Sequence, residues 1–215
     1  MKIAYQGIEG SYSESCAQEM HPECETIACK TFGDVFNKAN EDAEVRAIIP
    51  ESNKTTGNIG VEYLIFKYRL NIYQEKFYPI QHHLLGLPGT KIEDVKNVFS
   101  HAQGLSQCSN FIKKNKFIEN VRADTAGSAK YVSESKNKNE AAIASKQSAK
   151  IYNLDILASN IEDEKGNVTR FLLMGKPVMQ PELKKDKYIT SFLFKLKSKP
   201  AALVSALEGF AIQGV

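Results

Sequence analysis

The alternation of short apolar runs with helical patterns constrains the fold of this chain more than any other feature. Residues 2–5, "VRAIIP" and "NVFSH" each have the length of a buried strand, and a pattern of helical period follows each of them. The first of these helices opens with "SYSE", whose Ser-x-x-Glu spacing is typical of a capping box. Strands that alternate with helices predict an α/β fold with a largely parallel sheet.

A long extended segment interrupts this alternation. Residues 70–87 are too long for a simple crossover, and we interpret them as chain that passes from a first lobe into a second. A return is expected near residues 154–161. The predicted domain, residues 1–178, therefore has a first lobe of about residues 1–75 and 160–178, a second lobe of about 76–159, and a cleft between them.

The chain changes character after residue 178. The stretch "KPVMQPELKKDK" has two prolines and many charges, and we assign residues 179–187 as a linker. Beyond it, "YITSFLFKLKS" alternates like a half-buried strand, and an amphipathic helix follows with Leu203, Leu207 and Phe210 on its inner face. One strand and one helix cannot cover their own apolar faces, so residues 188–215 are expected to be a partial domain that promotes homo-oligomerisation.

The bulk composition argues against several classes of partner. The 28 Lys and Arg residues against 25 Asp and Glu give a net charge of +3, which is too weak a field to indicate nucleic acid or an anionic membrane. The N-terminus lacks the apolar core of a signal peptide, and no later run is long enough to span a membrane. We therefore expect a cytoplasmic protein with neither of these partners.

No metal site is expected. The four cysteines should be free thiols in such a compartment: Cys16, Cys24, Cys29 and Cys108. With His21, three of them form a loose cluster, but its spacing is wider than the tight Cys pairs of structural zinc sites. Cys16 is better explained by a helical face that it shares with Tyr12. His82 and His83 are adjacent in extended chain and would point to opposite faces, which argues against joint ligation.

Small or hydroxyl residues recur where a strand ends and a helix begins. They are Ser11, Ser13, Thr31, Ser52, Thr55, Ser100, Thr125, Ser128 and Ser145. Helix capping explains most of them. In a parallel α/β sheet, however, such helix starts gather at the carboxyl ends of the strands, where free amides and helix dipoles favour anions. Two facing rims of this kind suit a small carboxylate ligand.

The segment "NVTRFLLMGKP" places a cation, Arg170, at the start of an apolar strand. Either Arg170 closes an ion pair at the rim of the sheet or it contacts a ligand. Strand alternation puts Thr169 and Phe171 on one face and Arg170 on the other. His101 and Gln103 stand at another helix start. Ligand binding and helix capping are equally good explanations for them.

Six segments, in this order, resemble the prephenate dehydratase family: "GIEGSYSE", "PESNKTTG", "SHAQGLSQC", "DTAGSA", "AIAS" and "NVTRF". The resemblance covers residues 2 to about 175. It implies a two-lobed catalytic domain like a type 2 periplasmic binding protein, with the active site between the lobes. The last residues resemble the beginning of an ACT regulatory domain, so we expect an incomplete ACT-like βα tail.

The resemblance implies that prephenate loses carbon dioxide and water to give phenylpyruvate without a cofactor. Aromatisation supplies the driving force, so uncharged donors and helix termini are sufficient to assist the departing hydroxide. Thr169 matches the family's TRF threonine and is expected to donate to the leaving hydroxyl. Because a threonine is too weakly acidic to be a tuned general acid, it would act by hydrogen bonding in the transition state or through a proton relay. The substrate-binding candidates are Asn53, Thr55, His101, Gln103, Thr125, Arg170 and Phe171. A core role for Phe171 is equally open.

Four positions depart from the family's usual pattern: Ile8, Ser52, Lys54 and Ala102 stand where Pro, Glu, Ser and Pro are usual. The changes at residues 52 and 54 remove an acid and add a cation beside the expected anion site, which could tighten carboxylate binding, shift substrate preference or indicate a divergent paralogue. Two alternative functions stay open. One is the same reaction on arogenate, which has an amine in place of the keto group, and the other is a non-catalytic carboxylate-binding module.

The resemblance also implies phenylalanine as an effector of a complete ACT domain. The candidate regulatory residues are Ala201, Ala202, Leu203 and Val204. Because the family's regulatory site also needs the second half of that domain, we expect weak or absent inhibition of this 215-residue chain.

Overall fold

The structure is a computed structural model that describes residues 1–178 and 194–214. The chain divides into two units, residues 1–179 and 180–215, and each is described by itself. In the described parts, no helix combines the length and the apolar character that crossing a bilayer would require.

The larger unit contains two sheets. The first part of the chain forms β1 (Lys2–Gln6), α1 (Tyr12–Met20), β2 (Glu25–Cys29), α2 (Phe32–Glu41), β3 (Val45–Asn53), β4 (Gly57–Asn58), α3 (Glu62–Tyr68) and β5 (Asn71–Pro79). The middle part forms β6 (His83–Gly86), a short 3-10 turn (Ile92–Asp94), β7 (Asn97–His101), α4 (Ala102–Gln107), α5 (Ser109–Asn115), β8 (Ile118–Arg122), α6 (Thr125–Ser135), β9 (Glu140–Ala144), α7 (Lys146–Ile151) and β10 (Asp155–Ala158). The chain then returns to the first sheet as β11 (Val168–Gly175).

Both sheets are mixed, so the prediction of a largely parallel sheet was only partly right. The first sheet has the order β2-β1-β3-β11-β5, with β4 paired to β3, and the second has the order β10-β6-β9-β7-β8. Apart from the short β4, the strands that run against their neighbours are β6 and β11. Each of these is the first strand after a crossing between the sheets. The chain enters such a strand at its cleft end, whereas the neighbouring strands run toward the cleft, so the two directions are opposite.

The two crossings are short and hydrogen-bonded to each other. β5 ends at Pro79 and β6 begins at His83, so the outward crossing comprises residues 80–82, and the lobe boundary predicted near residue 75 falls inside β5. The backbone N–H of Ile80 donates to the carbonyl of Asn167 at 2.9 Å, and that of Ile161 donates to His82 at 2.9 Å. β5 is an edge strand with alternating exposure, which explains why it resembled connecting chain.

Each sheet buries both of its faces, and β11 illustrates how its "FLLM" run achieves this. Phe171 and Leu173 pack on the α1 side with residues such as Cys16, while Leu172 and Met174 pack on the α2 side. The second sheet likewise has a core cluster on each face. A strand that is covered on both sides needs consecutive apolar residues rather than alternation.

A polar brace joins the two lobes beside the cleft. The carbonyl of Gly10 accepts hydrogen bonds from the hydroxyls of Ser145 and Ser148, both at 2.9 Å, and the Tyr152 hydroxyl donates to the Glu9 carbonyl at 2.6 Å. Gly10 has a φ of +88°, and a Cβ there would lie 3.0 Å from Ser148 Oγ. The "GIEG" and "AIAS" segments therefore meet in space.

The smaller unit contains α8 (Ala202–Ile212). The assigned linker, residues 179–187, and most of the predicted strand, residues 188–193, lie outside the described residues, and residues 194–200 form no strand. Leu203 is 56% exposed and Leu207 is 48% exposed. The expected burial of this apolar face is thus not found in the described part of the chain.

We predict that Gly10→Ala destabilises the protein by at least about 1 kcal/mol more than Gly57→Ala does. Both glycines have positive φ, so both variants incur the left-handed penalty of about 1–2 kcal/mol. Only the alanine at residue 10 would also make a close steric contact, with Ser148, since nothing lies within 4 Å of a Cβ at Gly57. Urea unfolding measures the difference, and equal free energies for the two variants would contradict the close packing at the brace.

Candidate active site

A cavity of about 720 Å³ lies where the carboxyl ends of strands from both sheets meet helix N-termini. Its lining includes the ends of β1, β3 and β7 and the starts of α1, α2, α4 and α6. The predicted gathering of helix starts is therefore confirmed. A cavity of this size is in the range typical of small-molecule sites.

Five of the candidate residues line this cavity: Asn53, His101, Gln103, Thr125 and Thr169. Thr55 lines a neighbouring cavity of about 310 Å³, which shares Gln103 and Gln107 with the larger one. Neither Arg170 nor Phe171 lines either cavity.

Thr169 and Asn53 form the polar floor of the cavity. They pair directly across β11 and β3, and the side-chain Nδ2 of Asn53 donates to Thr169 Oγ1 at 2.8 Å. The Oδ1 of Asn53 accepts the backbone N–H groups of Thr55 at 2.9 Å and Thr56 at 3.1 Å. Because backbone amides only donate, the Asn53 amide cannot be flipped. The hydroxyl of Thr169 accepts from Asn53, and its own hydrogen is left to point elsewhere.

A bulge in β3 shapes this floor. Arg170 pairs with Ser52, but Phe171 pairs with Pro50, so Glu51 is an extra residue on β3. Proline has no N–H to contribute to a ladder and is tolerated at such irregular positions.

Arg170 lies on the face away from the cavity and forms the rim ion pair. Its Nε donates to Glu75 Oε2 at 2.9 Å, and its guanidinium lies 2.8 Å from Glu75 and 3.4 Å from Glu51. The three side chains are about a quarter exposed. Arg170 thus ties β11 to β5 on one side and to the β3 bulge on the other.

Phe171 is a core residue in this structure. It is 2% exposed and packs edge-to-face on Tyr78 with a centroid distance of 6.2 Å. Its ring lies in the cluster beneath α1. Of the two interpretations left open, the geometry favours packing over contact with a ligand ring.

His101 is a helix cap that also borders the cavity. Its Nδ1 accepts the backbone N–H of Gln103 at 3.2 Å, at the start of α4. The ring also belongs to the cavity lining. Capping and exposure to the cavity therefore occur together.

Metal-ligand geometry is not found in the described residues: they contain no group of three or more His, Cys, Asp or Glu side chains able to hold a metal ion. All four cysteines are free. Burial raises the pKa of the Cys16 thiol to about 12 and also raises that of Cys108, so both are protonated at neutral pH.

Comparison with known proteins places the chain in a family. The family model of prephenate dehydratase matches residues 3–178. The chain belongs to the prephenate dehydratase family. It is 42% identical over 217 residues to arogenate dehydratase/prephenate dehydratase 1, chloroplastic, of Arabidopsis thaliana, and 39% identical over 216 residues to arogenate dehydratase 2 of Petunia hybrida. Both matches cover 100% of this chain and 55% of the relative, so the chain spans about half the length of these relatives.

Solved structures agree on the fold. A prephenate dehydratase from Arthrobacter aurescens, in complex with L-Phe, superposes with a TM-score of 0.86 at 22% identity, covering 100% of this chain and 73% of the other. GqqA, described as a novel type of quorum quenching acylase, superposes with a TM-score of 0.82 at 27% identity, covering 100% of this chain and 78% of the other.

Four residues of the cavity region were missed by the sequence analysis. Tyr12 was assigned to a core face, yet its hydroxyl donates to the Gln81 carbonyl at 2.7 Å and lies 3.0 Å from His82 Nδ1. His82 Nε2 lies 2.8 Å from Gln107 Oε1, which accepts from Asn167 Nδ2 at 3.2 Å. Asn167 and Gln107 belong to the "NVTRF" and "SHAQGLSQC" motifs, and this membership was the available signal.

The residues that depart from the prephenate dehydratase pattern do not enter the cavity. Ser52 donates to Glu51 Oε2 at 2.6 Å, and Lys54 is exposed and lines neither cavity. The cation that the sequence placed beside the anion site therefore lies outside the cavity lining.

We predict that Arg170→Met lowers the free energy of unfolding by about 1–2 kcal/mol, because Glu51 and Glu75 would face each other without their shared cation. Adding Glu75→Gln to this variant should restore part of the loss. Chemical unfolding measures both effects. Lys130→Met, which removes an exposed helical pair at 4.0 Å, is the control and should change little. An Arg170→Met protein as stable as the parent would refute the structural role of this pair.

Proposed function

We propose that this chain catalyses the decarboxylating dehydration of prephenate to phenylpyruvate, a carbon–oxygen lyase reaction of phenylalanine biosynthesis. Family membership and the names of the relatives support this proposal. The observation that carries it is the fixed hydrogen bond from Asn53 to Thr169, which leaves the threonine hydroxyl free to donate into the cavity.

The proposed reaction needs little from the protein. As the ring carboxylate leaves as carbon dioxide, the electrons of its C–C bond move through the ring and expel the C4 hydroxyl as hydroxide. Thr169 donates a hydrogen bond to that oxygen while negative charge develops on it, and the hydroxide then takes a proton from solvent to become water. The products are phenylpyruvate, carbon dioxide and water, and no cofactor takes part.

The other cavity residues are proposed to hold the substrate. His101, Gln103 and Thr125 supply polar side chains for the carboxylates and the keto group, beside the amides of helix starts. Asn53 lines the cavity too, but its two amide hydrogens go to Asn167 and Thr169, so its proposed role is to orient the Thr169 hydroxyl. The remaining candidates are proposed to act without contacting the substrate. The backbone N–H of Thr55 orients Asn53, the ion pair of Arg170 holds β11 to β5, and Phe171 packs in the core.

We also propose the organisation of the chain. Residues 1–178 form the catalytic domain, residues 179–187 are a linker and residues 188–215 begin an ACT regulatory domain that promotes homo-oligomerisation. The exposed apolar residues of α8 support self-association. A cytoplasmic location is kept as a proposal, and the four free thiols suit a reducing compartment.

Arogenate is the second candidate substrate, because the plant relatives are named arogenate dehydratases. Incubating the purified chain with each acid in turn and following the ultraviolet absorbance of the aromatic product measures the preference. Binding of either acid without turnover would support the non-catalytic binding module instead.

We predict that Thr169→Val lowers kcat by about 100-fold or more, the loss expected for one donor to a developing oxyanion, while KM changes only a few-fold. Valine has nearly the same shape, and Asn53 keeps Asn167 as an acceptor at 2.8 Å. Thr169→Ser, which keeps a hydroxyl, is the matched control and should retain most activity. A valine variant with parental turnover would refute the assigned role.

We predict weak or absent inhibition of this chain by phenylalanine. Three of the candidate regulatory residues, Ala201, Leu203 and Val204, are exposed, Ala202 is half-buried, and none of them lines the cavities described above. Titration of phenylalanine against prephenate turnover measures the effect. Strong inhibition would contradict this prediction.

A further inference from the structure

A series of side-chain hydrogen bonds leads from the cavity floor to the buried His82, and in each bond the donor and the acceptor can be identified. The backbone amides of Thr55 and Thr56 fix the oxygen of Asn53, so its Nδ2 must donate to Asn167 Oδ1 at 2.8 Å. The other end of the Asn167 amide is therefore its Nδ2 donor, which faces Gln107 Oε1 at 3.2 Å. The side-chain amides of residues 53, 107 and 167 thus each have a single orientation.

This orientation determines the tautomer of His82. Its Nε2 lies 2.8 Å from Gln107 Oε1, which is an acceptor, so Nε2 carries a hydrogen in both the neutral and the charged ring. Only Nδ1 is left to change its protonation state.

The groups around Nδ1 all have hydrogen-bond partners only when Nδ1 carries a hydrogen. Nδ1 lies 3.0 Å from the Tyr12 hydroxyl, which also lies 2.7 Å from the carbonyl of Gln81. In the neutral ring, two acceptors compete for the single hydroxyl hydrogen of Tyr12. In the charged ring, Nδ1–H donates to Tyr12 and Tyr12 donates to Gln81, so every group has a partner.

Burial opposes the charged form of His82 in the empty cavity. Burial lowers the pKa of His82, while the hydrogen bond to Gln107 and the charge of Glu162 act in the opposite direction. Glu162, in the return crossing, accepts the backbone N–H of His82 at 3.0 Å. Burial also raises the pKa of Tyr12 on α1 and of Cys108 after α4, so both are uncharged neighbours at neutral pH.

Among the residues that the structure describes, the lining of the larger cavity contains no lysine or arginine, and its acidic side chain is Asp124, whose Oδ1 accepts the backbone N–H of Gly127. The Nδ1 of His101, the other histidine of this lining, already accepts the N–H of Gln103 at the start of α4. His82 also belongs to the lining and gains a hydrogen bond when it is protonated.

We propose that His82 is the cation of this site: it is neutral with its hydrogen on Nε2 in the empty cavity, and it takes up a second proton from solvent, on Nδ1, when an anionic ligand binds. This inference rests on the proposed function for the identity of the anion. Both ring nitrogens bond within the protein, so His82 is a positioning residue that acts on the ligand through its charge and through Tyr12.

Proton-linked binding has a definite pH dependence. The bound anion favours the imidazolium, so the pKa of His82 is higher in the complex than in the free protein. Below the free pKa binding is strongest, and affinity falls as pH rises through the window between the two values. Each unit between them corresponds to a tenfold weakening across that window.

NMR of the full chain labelled with 15N-histidine tests the tautomer and the proton uptake. The probe is phenylpyruvate, the proposed product, which binds as an anion and is not consumed. Absence of a signal from a His82→Gln protein assigns the ring. We expect hydrogen on Nε2 at every pH, and a pKa that rises by about one unit or more with phenylpyruvate. A neutral ring with hydrogen on Nδ1, or an unchanged pKa, would overturn the proposal.

Steady-state kinetics provide the second measurement. The KM for prephenate of the parent should rise about tenfold between the two His82 pKa values, whereas His82→Gln should show a high KM with a flat profile over that range. His83→Gln is the matched control, since His83 is the buried neighbour whose Nδ1 instead faces the backbone N–H of Asn160 at 3.4 Å, and it should behave like the parent.

The outcomes separate the two proposals. Normal turnover with a flat KM profile in the parent and no NMR shift refutes the role of His82 and leaves the dehydratase activity standing. A folded parent that neither turns over prephenate nor binds phenylpyruvate refutes the proposed function, and the role of His82 with it.

Discussion

The arrangement of the site depends on two backbone N–H groups that hold one side-chain oxygen. Thr55 and Thr56 follow the bulged end of β3, and their amides can only donate, so the amide of Asn53 has a single orientation. The fixed amide of Asn53 then determines which atom donates in the hydrogen bonds that follow. One of these bonds reaches the hydroxyl of Thr169, and the others lead through Asn167 and Gln107 to His82.

This network can form only because the chain crosses between the sheets at two adjacent places. The crossings bond to each other through Ile80 and Ile161, and they carry His82 and Asn167 into the cleft from opposite directions along the chain. The Gly10 brace adds a second contact between the lobes, away from these crossings. The cavity residues of the two sheets are therefore held by backbone contacts as well as by their own hydrogen bonds.

Local patterning was sufficient for much of the fold and for part of the candidate site. The strand–helix alternation indicated an α/β protein, and hydroxyl residues at helix starts indicated where the cavity lies. Alternation along "TRF" placed Arg170 opposite Thr169, as the structure has it. The antiparallel strands β6 and β11 were not predicted, because strand direction depends on where the chain enters each sheet. The edge strand β5 was interpreted partly as connecting chain because its burial is shallow.

By itself the sequence determined the elements, the apolar faces that they bury and the family motifs that carry Thr169 and Asn53, because these depend on local periodicity and on residue type. Only the tertiary structure decided that Arg170 pairs with Glu51 and Glu75, that Phe171 lies in the core, and that Tyr12 and His82 meet beside the cavity. The physical reason is that a hydrogen-bond partner is defined by distance and direction in space, and residues far apart along the chain acquire both only when the two crossings bring the sheets together.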